Sequence, residues 1–428
     1  MEIKRYYDEQ LNEEMLSAVH ESGLRVYVFP KQGFQKYYAI YGTEYGSVDS
    51  VFQVPGDAEM TRVPDGIAHY LEHKMFEEED GGDAFQRFAL TGASSNAFTS
   101  FDMTAYLFSC TDKFYENLDI LLDFVNHPHF TEENVAKEQG IIGQEIKMYE
   151  DDPEWRVFFN TLTALFHHNP VKIDIAGTVE SIAKITPELL YRCYNTFYNP
   201  ANMALVLVGD VDIDEAMKYV DKHIDAKRNL GQISRETVTE PKERVKERIT
   251  QNLVVSQPLF RIGFKDNNMD LDAEGRLKKE LATELVLDAV FGRCGDLYHE
   301  LYESGLIDSS FDAETDISKG YGFTLLGGES RDPEAVYAKV KEYLDGLMED
   351  GICQEDLARA RKTLLSRNIR LFNSVERMGN AFIRQIFSGY HPLQMKEALN
   401  QLTDAEVNDR LREHFATDNC VLSVVNPV

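Results

Sequence analysis

The strongest constraint on this chain is that its order of elements runs through twice. TAYLFSC (104–110) has a counterpart in GYGFTLLGGES (320–330), and ALVLVG (204–209) has one in the closing CVLSVV (420–425). HFTEENVAKEQGIIGQEIKMYEDDPEW (129–155) reads like ICQEDLARARKTLLSRNIRLFNSVERM (352–378). Each is a long helix with acids at its start, preceded by a shorter apolar helix. Self-similarity of this kind marks a duplication, argued here from element order rather than identity. A chain of 428 residues is also too long for one ordinary core. The expectation is an α+β protein made of two homologous α/β domains, with a space between them where a site could lie.

Local patterns place the elements. Val26, Val28 and Phe29 belong to a strand, and 30–33 supplies a turn. A helix is expected from about Asp65, with Asp65 placed to cap it. Further helices are expected over 114–126, 132–149, 155–166, 187–197 and 214–223. KRNLGQISRETVTEPKERVKERIT (227–250) is polar, with few large apolar residues, and reads as a linker. The expected division is therefore 1–226, the linker 227–250, and 251–428. In the second part LVVSQPLFRIGF (253–264) gives strands and LKKELATELVLDAVFG (277–292) a helix, followed by helices over 333–348 and 355–371.

Composition removes some classes of function. With 44 basic and 73 acidic residues the formal charge is −29, so nucleic acid and anionic membranes would be repelled. No run of about 18 uncharged apolar residues occurs, so no membrane span is expected. The start, MEIKRYYDEQLNEEM, is charged and has no apolar h-region, so a cytoplasmic protein is expected. The five cysteines are scattered and form no CxxC, as reduced thiols would be. The acidic surface could draw basic or unfolded peptides, although solubility alone accounts for it.

Chemistry concentrates in GIAHYLEHKMF (66–76). His69 and His73 are four apart, so on a helix they share a face and can reach one metal ion. Glu72 stands between them, able to take a proton from an attacking water without being a ligand. This is an H-x-x-E-H pattern, of which chance would place about 0.05 copies in a chain of this composition. Two buried imidazoles beside an acid would be costly without a metal or other partners. A catalytic zinc with an open position needs a third ligand. Glu138 and Glu145, seven apart on the 132–149 helix, share a face and both qualify. Spacing alone does not choose between them. A structural zinc site would use four ligands rich in Cys, and no Cys lies near the motif. The acid run EEEDGGD (77–83) follows directly and reads most simply as a solvated loop.

HYLEH (69–73) followed by EQGIIGQE (138–145) resembles the pitrilysin/insulinase family of inverted zincins, in its short-chain branch of bacterial and processing peptidases. The resemblance covers essentially the whole chain. It implies two homologous domains, each a mostly antiparallel sheet packed with helices, and a Zn2+ cofactor. It also implies a glutamate about seventy to eighty positions after the second histidine as third ligand, a window that contains Glu145. Glu138 matches a supporting acid. GASSNAFTSFDMTAYLF (92–108) is similar to a family segment whose edge strand accepts substrate backbone, with Asn96 and Ala97 at the positions flanking the metal. NMALVLVGDVD (202–212) matches a family strand. The family's second domain usually carries an Arg and a Tyr seven apart. Here ELYESGLIDSSF (300–311) puts Tyr302 and Ser309 there, and a slipped register or a substitution by Tyr298 or Tyr302 would alter that reading. The expectation is a zinc-dependent endopeptidase acting on unfolded or short peptides with Glu72 as general base. It would work as a homo- or hetero-dimer with a homologous subunit carrying the Arg/Tyr pair. The alternative is a non-catalytic, peptide-binding or chamber-forming subunit of such a dimer.

Overall fold

The computed structural model describes residues 2–79 and 81–428. Met1 and Asp80, the latter within the acid run, lie outside them. Along the first half run β1 (Lys4–Asp8), β2 (Glu13–Val19), β3 (Arg25–Pro30), β4 (Tyr37–Thr43), two short strands β5 (Val51–Gln53) and β6 (Thr61–Arg62), α1 (Ile67–Lys74) and α2 (Ala84–Thr91). Then come β7 (Ser94–Thr99), β8 (Thr104–Cys110), α3 (Phe114–Asn126), α4 (Glu132–Asp151), α5 (Pro153–Leu165), α6 (Val179–Ile182), α7 (Pro187–Phe197), β9 (Met203–Gly209), α8 (Ile213–His223) and β10 (Ser234–Arg235). The second half has β11 (Arg248–Leu253), β12 (Leu259–Lys265), α9 (Ala273–Val286), α10 (Asp296–Glu303), β13 (Asp312–Ile317), β14 (Gly322–Glu329) and α11 (Pro333–Asp350). It ends with α12 (Gln354–Leu371), α13 (Val375–Ser388), α14 (Met395–Gln401), α15 (Asp404–His414) and β15 (Val421–Pro427).

Two sheets carry the fold, and five strands of the first, β3-β9-β4-β8-β7, repeat the topology of the second. The first runs β1-β2-β3-β9-β4-β8-β7 and the second β11-β15-β12-β14-β13. In each, one pair is parallel (β9 on β3, β15 on β11), and every other pairing is antiparallel. The repeat in the sequence is therefore a repeat of fold. The β1–β2 ribbon, which the sequence did not announce, is an addition to the first sheet. β9, all seven residues of it buried, is an apolar run flanked on both sides, as a central strand should be.

The chain forms two compact units, and each draws on both halves. The first comprises Met1–Ile146, Asp174–Glu236 and Ile369–Pro392; the second comprises Lys147–Ile173, Thr237–Asn368 and Leu393–Val428. In the first unit α13 lies on β9 and β4; in the second α5 lies on β15 and β12. These are equivalent strands. α13 shows why it seeks a sheet: Val375, Met378, Phe382, Ile383, Ile386 and Phe387 recur every three or four residues and are all buried. Glycine permits the approach. A Cβ on Gly42 of β4 would sit 2.7 Å from Ile383 Cδ1, and one on Gly263 of β12 would collide with Thr161 of α5.

Most expected helices fall within a residue or two of their observed ends. One expectation is corrected. Asp65 does not cap α1: Gly66 holds that position in the left-handed region (φ 89°). The Asp65 carbonyl instead accepts a bond from Ser181 Oγ at 2.8 Å. A Cβ at Gly66 would collide with the Ala176 carbonyl, so the chain entering α1 lies too close to a neighbouring segment for any other residue. The 253–264 stretch carries the end of β11 and most of β12, with 254–258 between them.

Within 227–250, Arg235 Nε donates to buried Asp49 at 2.7 Å. The Glu240 carboxylate accepts the backbone N–H groups of His167, His168 and Asn169. Among the described residues no helix is long and apolar enough to cross a membrane.

Candidate functional site

α1 is eight residues long and almost wholly buried. A helix so short is not stable by itself, so tertiary contacts must hold it. The Tyr70 hydroxyl donates to the Val135 carbonyl, fastening α1 to α4, and α1 also packs against β7. α4 begins with Glu132 and Glu133 in its first turn, where the helix dipole favours acids. Thr131 Oγ1 accepts from Asn134 N, and Asn134 Oδ1 from Thr131 N, which closes its start.

These two helices bring the candidate residues together. His69 and His73, one turn apart, have ring centroids 4.6 Å apart. His69 Nε2 lies 3.7 Å from Glu145 Oε1, and His73 Nε2 lies 3.5 Å from Glu145 Oε2. One donor atom from each of the three falls within 4.8 Å of the others, so together they could hold a metal ion. The donor set suits zinc. At metal–ligand distances of about 2.0–2.2 Å, a tetrahedral site has ligand atoms roughly 3.3–3.6 Å apart, close to the separations of 3.7 and 3.5 Å. Glu138 stands behind: its Oε1 lies 3.1 Å from His73 Nδ1. The two acids the spacing left undecided thus have different places, Glu145 against both Nε2 atoms and Glu138 on the far nitrogen of His73.

Electrostatics separates the two histidines. Burial, and then the neighbouring His73, lowers His69 to about 4, so its ring is neutral near pH 7. Burial also pulls His73 down, but the bond to Glu138 and the charges of Glu72, Glu145 and Glu138 outweigh it and leave it raised. Glu138 is lowered despite burial, through His73, Lys74 and Lys137. Glu72, buried, is raised by that burial, against the opposing bond from Thr99. Thr99 Oγ1 donates to Glu72 Oε2 at 2.8 Å.

Asn96 and Ala97 sit on β7, which ends the first sheet and, among the described residues, pairs with β8 alone. Asn96 is exposed, and its Oδ1 accepts the Ala97 N–H at 2.9 Å; Ala97 is half-buried and opposite Tyr106. Thr99 went unassigned from the sequence, although it shares strand parity with Ala97 and so faces the same way. Lys74 also went unread. In the second unit Tyr302 on α10 is 53% exposed and stacks on Tyr298, and the Ser309 carbonyl accepts from Arg293 Nη2 at 3.1 Å. In the acid run, Glu77 and Asp83 form a β-bridge, Asp83 caps α2 by accepting the Phe85 N–H, and Glu78 pairs with Arg87.

Residues 56–179 match the model of Insulinase (Peptidase family M16), and residues 184–364 match that of the Peptidase M16 inactive domain. The chain is 42% identical over 427 residues to the uncharacterized zinc protease YmfH of Bacillus subtilis, covering 99% of each chain. It is 25% identical to the uncharacterized zinc protease YmxG of the same species, over 87% of this chain and 91% of that one. An M16-like peptidase from Alicyclobacillus acidocaldarius superposes with a TM-score of 0.92 at 37% identity, over 97% of this chain and 99% of that one. A protease from Helicobacter pylori, at 18% identity and a TM-score of 0.81 over 96% and 99% of the two chains, shares the fold. This chain belongs to the insulinase family, peptidase family M16.

Proposed function

We propose that this chain is a zinc-dependent endopeptidase in which His69, His73 and Glu145 hold the metal and Glu72 is the general base. The observation that carries it is the convergence of both Nε2 atoms on the Glu145 carboxylate, with Glu72 on the same helix between the histidines. Zinc bound there would act as a Lewis acid, acidifying water and polarising a carbonyl. Glu138 accepts from His73 Nδ1, which leaves Nε2 free to ligate. Glu72 takes the proton of the attacking water and returns it to the leaving amine; its burial raises its proton affinity. Thr99 fixes one oxygen of that carboxylate. The unpaired edge of β7, with Asn96 and Ala97, would take an extended, unfolded peptide as an added strand.

Tyr302 and Ser309 offer no guanidinium to a substrate carbonyl. That supports a working unit in which a homologous subunit supplies an Arg/Tyr pair. It also favours one alternative, a chamber-forming subunit that binds peptide without cutting it. The surroundings are taken to be cytoplasmic. Hydrolysis of a quenched fluorescent peptide, with zinc quantified in the same sample, tests the proposal. Glu72→Gln should keep about one zinc per chain and lose hydrolysis by at least about a hundredfold, in the chain alone or with its partner. Loss of zinc with activity kept would sink the assigned roles.

A further inference from the structure

One buried charge beside the site takes no part in the proposed chemistry. Lys74, the last residue of α1, is 0% exposed. A buried ammonium is costly unless it is paired, and Lys74 has two partners. Its Nζ contacts the Glu77 carboxylate and lies 3.9 Å from Glu138 Oε2. The two oxygens of Glu138 are thereby divided, Oε1 to His73 Nδ1 at 3.1 Å and Oε2 toward Lys74. Glu77 is itself held in place. It forms a β-bridge with Asp83, the Ala84 N–H bonds the Phe76 carbonyl at 3.0 Å, and the Phe76 and Phe85 rings stack with centroids 4.1 Å apart.

We infer that Lys74 is a positioning residue for the metal centre. Anchored by Glu77, it holds the Glu138 carboxylate in the orientation that fixes the His73 ring. The inference rests on the reading of His69, His73 and Glu145 as zinc ligands. A lone cation so near would weaken binding of a dication by repulsion. Glu77 neutralises it at contact distance, so the metal meets an ion pair rather than a free charge. Positioning and bare repulsion predict opposite signs. If Lys74 positions, its removal loosens zinc; if it only repels, its removal tightens zinc.

The test is the zinc dissociation constant of the full chain, measured by competition with a chelating dye, with melting of the metal-free forms followed in parallel. Partners one bond behind a ligand change metal affinity by about 10–100-fold. Lys74 is one step further back, so Lys74→Met should weaken zinc by about tenfold and Lys74→Arg should recover most of it. In a Glu138→Gln background Lys74→Met should change little, because the effect runs through Glu138. Zinc bound by Lys74→Met as tightly as by the unmodified chain, or more tightly, overturns the inference, as does an undiminished effect in the Glu138→Gln background. If Lys74→Met does not fold, Lys74→Gln takes its place, with a loss in the same direction expected and equality overturning. Glu145→Gln keeps the two readings apart. If it binds zinc as the unmodified chain does, the ligand assignment fails and the inference falls with it. If it loses zinc while Lys74→Met does not, only the positioning role fails.

Discussion

At the scale of the residue, the site turns on which acid faces which nitrogen. Glu138 and Glu145 lie two turns apart on α4, on one face, and both reach His73. Only Glu145 also faces His69. Replacing a metal ligand removes a bond to the ion, whereas replacing an outer partner only loosens a ring that stays in place. Glu145→Gln should therefore weaken zinc at least about tenfold more than Glu138→Gln does, measured as metal retained after dialysis against graded chelator. Equal retention would refute the assignment. The sequence made the two histidines and Glu72 legible because helical periodicity places residues four apart on one face, whatever the surroundings. It could not rank the two acids. Which oxygen meets which nitrogen depends on how α4 lies over α1, set by long-range contacts such as Tyr70 to Val135. Lys74 and Thr99 were illegible for the same reason: nothing local says that a lysine at a helix end will be wholly buried, or that one threonine of a polar strand will turn toward an acid.

At the scale of elements, α15 is fastened to the second sheet by a buried polar network. Arg410 and His414, one turn apart, face inward. Arg410 pairs with Asp266 just past β12 and donates to Thr283 of α9, while His414 Nε2 lies 2.7 Å from Thr324 of β14. Burial, and then the charge of Arg410, lowers His414 to about 3. Asp266 is lowered to about 2: burial opposes this, but His414, Arg410 and Lys279 prevail. The unfolded chain binds a proton at a histidine below about pH 6.5, while folded His414 refuses one until about pH 3. Between those values protons favour the unfolded state, so stability falls as pH drops, by up to about 1.4 kcal/mol per pH unit from this group. Asp266 adds to the loss only below about pH 4. His414→Gln should thus show a shallower decline of unfolding free energy between pH 6.5 and 4 than the unmodified chain, in denaturant titrations of metal-free protein. Parallel curves would remove His414 as the cause. Two neighbouring elements were readable from apolar spacing, β14 and α12, which appear where the pattern put them, whereas α15 itself was not among the expected helices. The network was not readable, because Asp266, Thr283, Thr324 and His414 are brought together only by the fold.

At the scale of the whole molecule, the duplication explains an arrangement that a linear division of the chain would miss. Each half supplies one helix to the unit built mainly from the other. The helices cover equivalent strands, α13 over β4 and β9 and α5 over β12 and β15. α13 brings to the first unit Phe382, its ring tilted against that of Phe29 with centroids 4.5 Å apart, and Ile383 against Gly42. Burying each such apolar side chain contributes roughly 2 kcal/mol, so six of them on one helix contribute about 12 kcal/mol, comparable with the whole margin of about 5–15 kcal/mol by which a domain is stable. The unit that carries His69, His73 and Glu145 is therefore incomplete without 369–392. A fragment of residues 1–236 should expose the apolar face of β4 and β9, bind a hydrophobic dye and fail to melt cooperatively. Adding a peptide of residues 369–392 in trans should restore a cooperative transition, because the missing piece is a contiguous amphipathic helix that needs no other part of the second half to present its face. A fragment that folds as a stable monomer unaided, with no response to the peptide, would mean that the borrowed helix is an ornament on a self-sufficient core.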